Sequence, residues 1–128
     1  MILDTSAVLA VVFREPGFEA FLDKIADSAH LAIGAPTVTE IGIVLGNRLG
    51  KDVRGLLLQL LHEWQVTIIP FGEHHWQEAV AAYSRFGRGK HKAALNFGDC
   101  LAYAVAKLSD QPLLCTGNDF SKTDINIG

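Results

Sequence analysis

Apolar residues recur along this chain in two rhythms, short unbroken runs and stripes spaced three and four apart, and their alternation predicts the elements. Met1-Ile2-Leu3 is a short strand ending in Asp4, and Thr5-Ser6 then cap a helix that runs through Ala7 to about Phe13. Pro16-Gly17 breaks the chain, and Phe18, Phe21, Leu22 and Ile25 form the stripe of a second helix that fades near Ser28. His30 to Gly34 is a second strand. With Pro36 at a helix start, Thr37 to Leu49 carries Ile41, Val44, Leu45 and Leu49 on one face. Asp52 is placed to cap a fourth helix, Val53 to Trp64, whose leucines Leu56, Leu57, Leu60 and Leu61 cover nearly half its circumference. Val66 to Pro70 shows little alternation, as in a strand covered on both faces. Glu73 to Phe86 reads as a helix with Trp76, Ala79, Val80 and Tyr83 inward, Leu113 to Cys115 as a buried strand, and Thr123 to Ile127 as a candidate edge strand. Strands alternating with helices predict an α/β fold, a three-layer α/β/α sandwich with a central, mainly parallel sheet. No linker, repeat or low-complexity segment divides residues 1–128, which are expected to form one domain.

The remaining helix organises the rest. In Leu95 to Ala104, Asn96 is a good N-cap and Asp99 falls at the third helical position, where free backbone N–H groups favour negative charge. Leu101, Ala104, Val105 and Leu108 supply the core-facing stripe. An acid thus stands where a helix enters the core. First-turn acids are usually plain caps, so its meaning depends on other acids.

Composition and charge adjust the picture in four ways. Cys100 and Cys115 both lie in apolar surroundings with no metal-site spacing, which fits reduced, buried thiols and a cytoplasmic location. The apolar start is interrupted by Asp4 with no basic residue before it, unlike a signal peptide, and no uncharged run nears the roughly 20 residues of a membrane span. Hydrophobic residues reach 49%, rich for so small a chain, which leaves apolar area for a partner. Net charge is −3, yet Arg85, Arg88, Lys90 and Lys92 occupy a segment free of acids between Glu78 and Asp99. Without those four, 7 bases face 14 acids, so the charge is segregated and a polyanion-binding loop is compatible with an acidic total.

Four carboxylates make the candidate site: Asp4 after the first strand, Glu40 inside the third helix, Asp99 opening a helix and Asp119 after a late strand. Loops that follow the strands of a parallel sheet gather on one edge, where ligands bind. Four acids there would repel one another unless hard cations neutralise them. Oxygen-only ligation favours Mg²⁺, with Mn²⁺ as a possible substitute, over Zn²⁺. Such a centre suits phosphodiester hydrolysis, and the basic loop would hold the substrate's phosphates.

At these residues the chain resembles a known family. Asp4-Thr5-Ser6 after an opening strand, a lone Glu40 in the third helix, "ALNFGDCLAYA" around Asp99 and "LLCTGNDFSKTDI" around Asp119 look like the PIN-domain ribonucleases, specifically the VapC-type toxins of bacterial type II toxin–antitoxin pairs. The resemblance spans essentially the whole chain. It implies a PIN-like fold, Mg²⁺-dependent endoribonuclease activity, homodimerisation, and inhibition by a small cognate antitoxin lying in the active-site groove. Carried over, Asp4, Glu40, Asp99 and Asp119 match the acidic quartet, with Asp4 and Asp99 as direct metal ligands. Ser6 would orient Asp4 or a metal-bound water, and Thr116 and Asn118 would play the same kind of supporting role. Arg85, Arg88, Lys90 and Lys92 are the candidate RNA contacts. His91-Lys92-Ala93 departs from the pattern, so the choice of RNA is not inherited from relatives.

Two other readings remain open. A phosphatase using Asp4 as nucleophile would ordinarily need a second Asp two residues on, where this chain has Ser6. A catalytically silent PIN-like binding module is supported by the apolar excess alone. His74-His75 and His62-Glu63 lack the i, i+4 spacing of a helical metal pair and are expected to face solvent or to pack. Asp124 is expected only to close the last turn.

Overall fold

The computed structural model describes residues 1–128. Its elements, in chain order, are β1 (Ile2–Leu3), α1 (Thr5–Val12), α2 (Phe18–Asp27), β2 (Leu31–Gly34), α3 (Ala35–Leu49), α4 (Arg54–Glu63), β3 (Val66–Ile69), α5 (Glu73–Phe86), α6 (Phe97–Ser109) and β4 (Leu113–Leu114), followed by a 3-10 turn at Phe120–Lys122. All four strands pair in parallel in the order β3-β2-β1-β4. The expected edge strand at Thr123 to Ile127 reduces to a single parallel bridge between Leu113 and Ile127. No helix is long and apolar enough to cross a membrane.

Strand residues alternate between two cores. Ile2 and Leu113 join Ala79, Ala82, Phe86, Tyr103 and Val105 on the α5–α6 side of the sheet. Leu3 and Leu114, one residue on in each strand, join Val8, Ile25, Ile41, Leu45, Leu57 and Leu61 on the α1–α4 side. The period-2 pleat therefore divides the helices into two outer layers, the expected α/β/α sandwich. From β1 the chain winds outward to β2 and β3, then crosses back to β4 on the other side of β1. The winding direction reverses between β1 and β4, and the carboxyl ends of those two strands border the crevice where such sheets bind ligands.

Five expectations are corrected. Asp4, not Thr5-Ser6, is the N-cap of α1: its side chain accepts the Ser6 backbone N–H, leaving Thr5 as the first helical residue. The cap position of α4 is Val53, while Asp52 instead accepts from the Arg54 backbone N–H at 3.0 Å and pairs with its guanidinium at 2.7 Å. β3 is an edge strand, so Thr67 and Ile68 are exposed rather than covered. On α5 only Ala79 of the expected inward set is buried; Trp76, Val80 and Tyr83 are exposed. The buried face of that helix is Ala79, Ala82 and Phe86, because small residues let α5 lie close on α6. Leu108 of α6 is likewise exposed, while Tyr103, Ala104 and Val105 carry the packing.

Candidate active site

β1 and β4 lie side by side, and the Asp4 backbone N–H donates to the Leu114 carbonyl at 3.0 Å. That pairing fixes where the first acid leaves the sheet. Asp4 is only 6% exposed, one of two buried polar residues in the chain. Its Oδ2 accepts from the Ser6 backbone N–H at 3.1 Å and from the Ser6 hydroxyl at 2.5 Å. The Ser6 hydroxyl oxygen in turn accepts the Thr116 backbone N–H at 3.0 Å, tying the end of β4 to the start of α1. Thr116 enters this hydrogen-bond chain through its backbone and not its side chain.

Asp99 is held by a reciprocal cap. The Asn96 side-chain oxygen accepts the Asp99 N–H at 2.9 Å, and Asp99 Oδ2 accepts the Asn96 N–H at 3.0 Å. The expected placement of both residues is confirmed at the opening of α6. Glu40 projects from α3 and its Oε1 accepts a hydrogen bond from the Thr5 hydroxyl. A Cβ added at Gly98 would lie 2.8 Å from Glu40 Oε2, so the absence of a side chain there gives Glu40 its place beside the first turn of α6. In the sequence Thr5 reads as a cap residue and Gly98 only as part of a motif; neither announces its place against Glu40.

Asp119 is exposed, precedes the 3-10 turn, and its side chain caps nothing. Asn118 is exposed and contributes its carbonyl, which accepts the Ser121 hydroxyl at 2.7 Å. The four carboxylates nevertheless share one field. Burial, opposed by the Ser6 hydrogen bonds and reinforced by repulsion from Asp99 and Glu40, pushes Asp4 up to about 6. Asp99 is also raised, by burial first and by Asp119 and Glu40 after it, while the Asn96 N–H and the charge of Arg88 pull it down. Repulsion of this kind opposes keeping all four carboxylates charged unless a cation offsets it.

The donor chemistry fits a hard divalent cation. Asp4, Asp99 and Glu40 each engage one carboxylate oxygen in the hydrogen bonds above and keep the other. Cys115, buried at the end of β4, is pushed up to about 11 by burial and by the charges of Asp4, Asp99 and Asp119, so it stays a neutral thiol and offers no thiolate. No three His, Cys, Asp or Glu side chains close into a ligand group by themselves. An ion here would rest on carboxylate oxygens and fill its other positions with water or substrate oxygens.

The basic segment divides. Lys90 and Lys92 are exposed at the tip of a loop whose base is pinned by Arg88 N–H to the Leu95 carbonyl and by Leu95 N–H to the Phe86 carbonyl. Arg88 is exposed, and its charge helps to hold the Asp99 carboxyl down. Arg85 belongs to the last turn of α5, lies over the Phe86 ring at 4.6 Å and pairs with Asp124 at 3.5 Å. Asp124 does more than close a turn: it also accepts from Tyr103 Oη at 2.5 Å and Lys107 Nζ at 2.8 Å. His75 accepts the Gly72 N–H and stacks on Phe71, a packing role as expected.

A parallel α/β sheet with acids gathered at its switch point is the class of fold that binds its ligands at the carboxyl ends of the strands. The particular family follows from comparison. The chain belongs to the PIN domain family, whose profile matches residues 1–126. It is similar to Ribonuclease VapC36 of Mycobacterium tuberculosis (strain ATCC 25618 / H37Rv), 43% identical over 128 residues that cover 99% of this chain and 92% of that protein. It is also similar to Ribonuclease VapC of Mycolicibacterium smegmatis (strain ATCC 700084 / mc(2)155), 37% identical over 98% of this chain and 97% of the other. The fold is shared with the crystal structure of Mycobacterium tuberculosis VapC20, described as a sarcin-ricin loop cleaving toxin, at a TM-score of 0.78 and 15% identity, covering 97% and 95% of the two chains. It is shared as well with VapBC2 from Rickettsia felis bound to a promoter DNA fragment, at a TM-score of 0.75 and 15% identity, covering 98% and 94%.

Proposed function

We propose that this protein is the toxin of a toxin–antitoxin pair, a metal-dependent endoribonuclease that hydrolyses RNA phosphodiester bonds with Mg²⁺, for which Mn²⁺ can substitute. The observation that carries this reading is the convergence of Asp4, Glu40, Asp99 and Asp119 into one field at the sheet's switch point, with Asp4 buried and clamped by Ser6. The ribonuclease names of the relatives at 43% and 37% identity support the substrate class.

Asp4 and Asp99 are the direct ligands, each with one oxygen held by the fold's hydrogen bonds and the other not engaged in them. A cation held by these carboxylates would supply Lewis-acid chemistry: polarisation of the phosphoryl group, a more acidic attacking water and charge stabilisation at the leaving oxygen. Glu40, fixed by Thr5, and the unengaged Asp119 carboxylate orient water and take up a proton at the crevice rim. Arg88, Lys90 and Lys92 draw the RNA backbone to the crevice, while Arg85 is committed to Asp124 and contributes less. The toxin–antitoxin complexes among proteins of the same fold support a protein inhibitor, and the acid crevice suits a basic side chain inserted from such a partner. Homodimerisation belongs to the same proposal and is read by sedimentation.

The test is gel-resolved cleavage of a tRNA and rRNA pool, with single-stranded DNA alongside, in Mg²⁺, Mn²⁺ and EDTA, comparing wild type with Asp99→Asn. Discrete RNA fragments that require metal and vanish in the variant are the expected result. Intact RNA under every condition together with no metal binding would leave the silent binding module as the function.

A further inference from the structure

Two grooves flank the acid crevice, and Phe97, 77% exposed at the start of α6, is a wall of both. They differ in chemistry. The groove on the α3 side, about 650 Å³, is walled by Pro36, Ile43 and Val44, and its one charged residue is Glu40. The groove between α5 and α6, about 600 Å³, is walled by the rings of Trp76, Tyr83 and Phe97, and its one charged residue is Arg88. Ser84 and Asn96 add polar groups to the second. A polyanion is repelled at the first by Glu40 and attracted at the second by Arg88.

We infer that the α5–α6 groove is a nucleobase pocket, in which an unpaired RNA base next to the scissile phosphate stacks on Phe97 and Trp76. The inference rests on the ribonuclease reading above and names a specificity determinant of that site. Three observations carry it. The aromatic faces are uncovered by the chain itself, Trp76 being 55% and Tyr83 41% exposed, and exposed rings beside a cation are what single-stranded RNA uses for binding. The pocket joins the reaction centre through single residues: Asn96 caps Asp99, and Arg88 acts on Asp99 electrostatically. Finally, the Asn96 side-chain oxygen is occupied by the Asp99 N–H, which leaves its NH₂ free to donate to an acceptor on a base edge.

The test uses the full chain and a labelled single-stranded RNA whose cut site is mapped with the wild type, resynthesised with each base near the cut replaced in turn by an abasic ribose. Wild type is expected to lose about tenfold in kcat/KM at one abasic position, the worth of one base–aromatic stack. Phe97→Leu and Trp76→Leu should lose about as much on intact RNA and nothing further on that abasic RNA, whereas Phe97→Tyr and Trp76→Phe keep the wild-type preference. Equal wild-type cleavage of every abasic RNA overturns the pocket while leaving the ribonuclease standing, and that arm requires no variant to fold. Absence of any RNA cleavage by the wild type removes the ribonuclease reading and the pocket with it. Leucine variants that cut RNA normally but lose binding to a purified antitoxin would assign the groove to protein instead.

Discussion

The Ser6 hydroxyl donates to Asp4 Oδ2 at 2.5 Å while accepting the Thr116 N–H at 3.0 Å, so one side chain joins the ends of β1 and β4 and clamps the buried acid between them. Both bonds from Ser6 to Asp4 favour the ionised carboxylate and so work against its burial. Removing the hydroxyl in Ser6→Ala should therefore raise the Asp4 pKa further and loosen its aim. Metal affinity and cleavage are expected to fall about 10- to 100-fold at pH 7, the usual cost of losing a residue that orients a ligand. Part of the loss should return near pH 8.5, where Asp4 is again ionised, and Ser6→Thr should keep most of the activity. A pH profile of kcat/KM for the three proteins decides it; an alanine variant with an unchanged profile would remove Ser6 from the mechanism.

Asp4 itself costs stability. Burial, with Asp99 and Glu40 adding to it, raises the carboxyl from 3.8 to about 6. Below about pH 4 folded and unfolded chains both hold the proton. Between about 4 and 6 the unfolded chain ionises while the folded chain does not, so stability falls as pH rises, by on the order of 2 to 3 kcal/mol from this group, and stays lowered above 6. Asp4→Asn removes the charge. In EDTA at pH 7.5 the variant is expected to melt higher than wild type by about 5 to 10 °C, with the gap closing toward pH 4, although it cuts no RNA. Thermal melts across that range check the sign; a less stable variant at pH 7.5 would contradict it.

The parts of this fold readable from the chain are those in which one residue's chemistry settles its place. Asn96 three residues before Asp99 reads as an N-cap with an acid at the third helical position; that bond is made, and the return bond from the Asn96 N–H to Asp99 is added by the structure. The parallel sheet follows from strands that alternate with helices. The facing of α5 does not follow, because Trp76, Ala79, Val80 and Tyr83 keep the helical period whichever face they serve. Only the close packing of Ala79 and Ala82 on α6 turns the larger side chains outward. Contacts between distant segments are equally hidden: nothing near Thr5 in sequence announces Glu40, 35 residues away. The acid quartet is readable as a set, but which oxygen of each acid remains available depends on these tertiary bonds.

Gly98→Ala separates folding from function at this site. The new Cβ would stand 2.8 Å from Glu40 Oε2, the end of a flexible side chain, so Glu40 can swing away at little cost. Alanine is the better helix residue by up to about 1 kcal/mol, and the variant should be as stable as wild type or slightly more so. Cleavage should nonetheless fall about tenfold or more, since a displaced Glu40 loses Thr5 and its position beside Asp99. Urea unfolding and cleavage measured on the same preparation provide the check. Activity at the wild-type level would show that the place of Glu40 is immaterial.

The tail offers the opposite electrostatic case. Burial pushes Asp124 up, but hydrogen bonds from Lys107 and Tyr103 outweigh it and hold the carboxyl down to about 2. A depressed acid contributes stability that is present above its unfolded value of 3.8 and is lost as pH falls toward 2. Asp124→Asn still accepts from Tyr103 but gives up the charge that pairs with Lys107 and Arg85. Because the carboxylate is one-third exposed, screening limits the expected loss to about 1 kcal/mol at pH 7. The difference from wild type in urea midpoint should shrink at pH 3 and again in 1 M salt, where surface pairs are screened within about 3 Å. The same variant frees Arg85 at the end of α5, so its RNA affinity at low salt should rise. A variant that loses stability equally at pH 7 and pH 3 would show that shape, and not charge, ties the tail to α6.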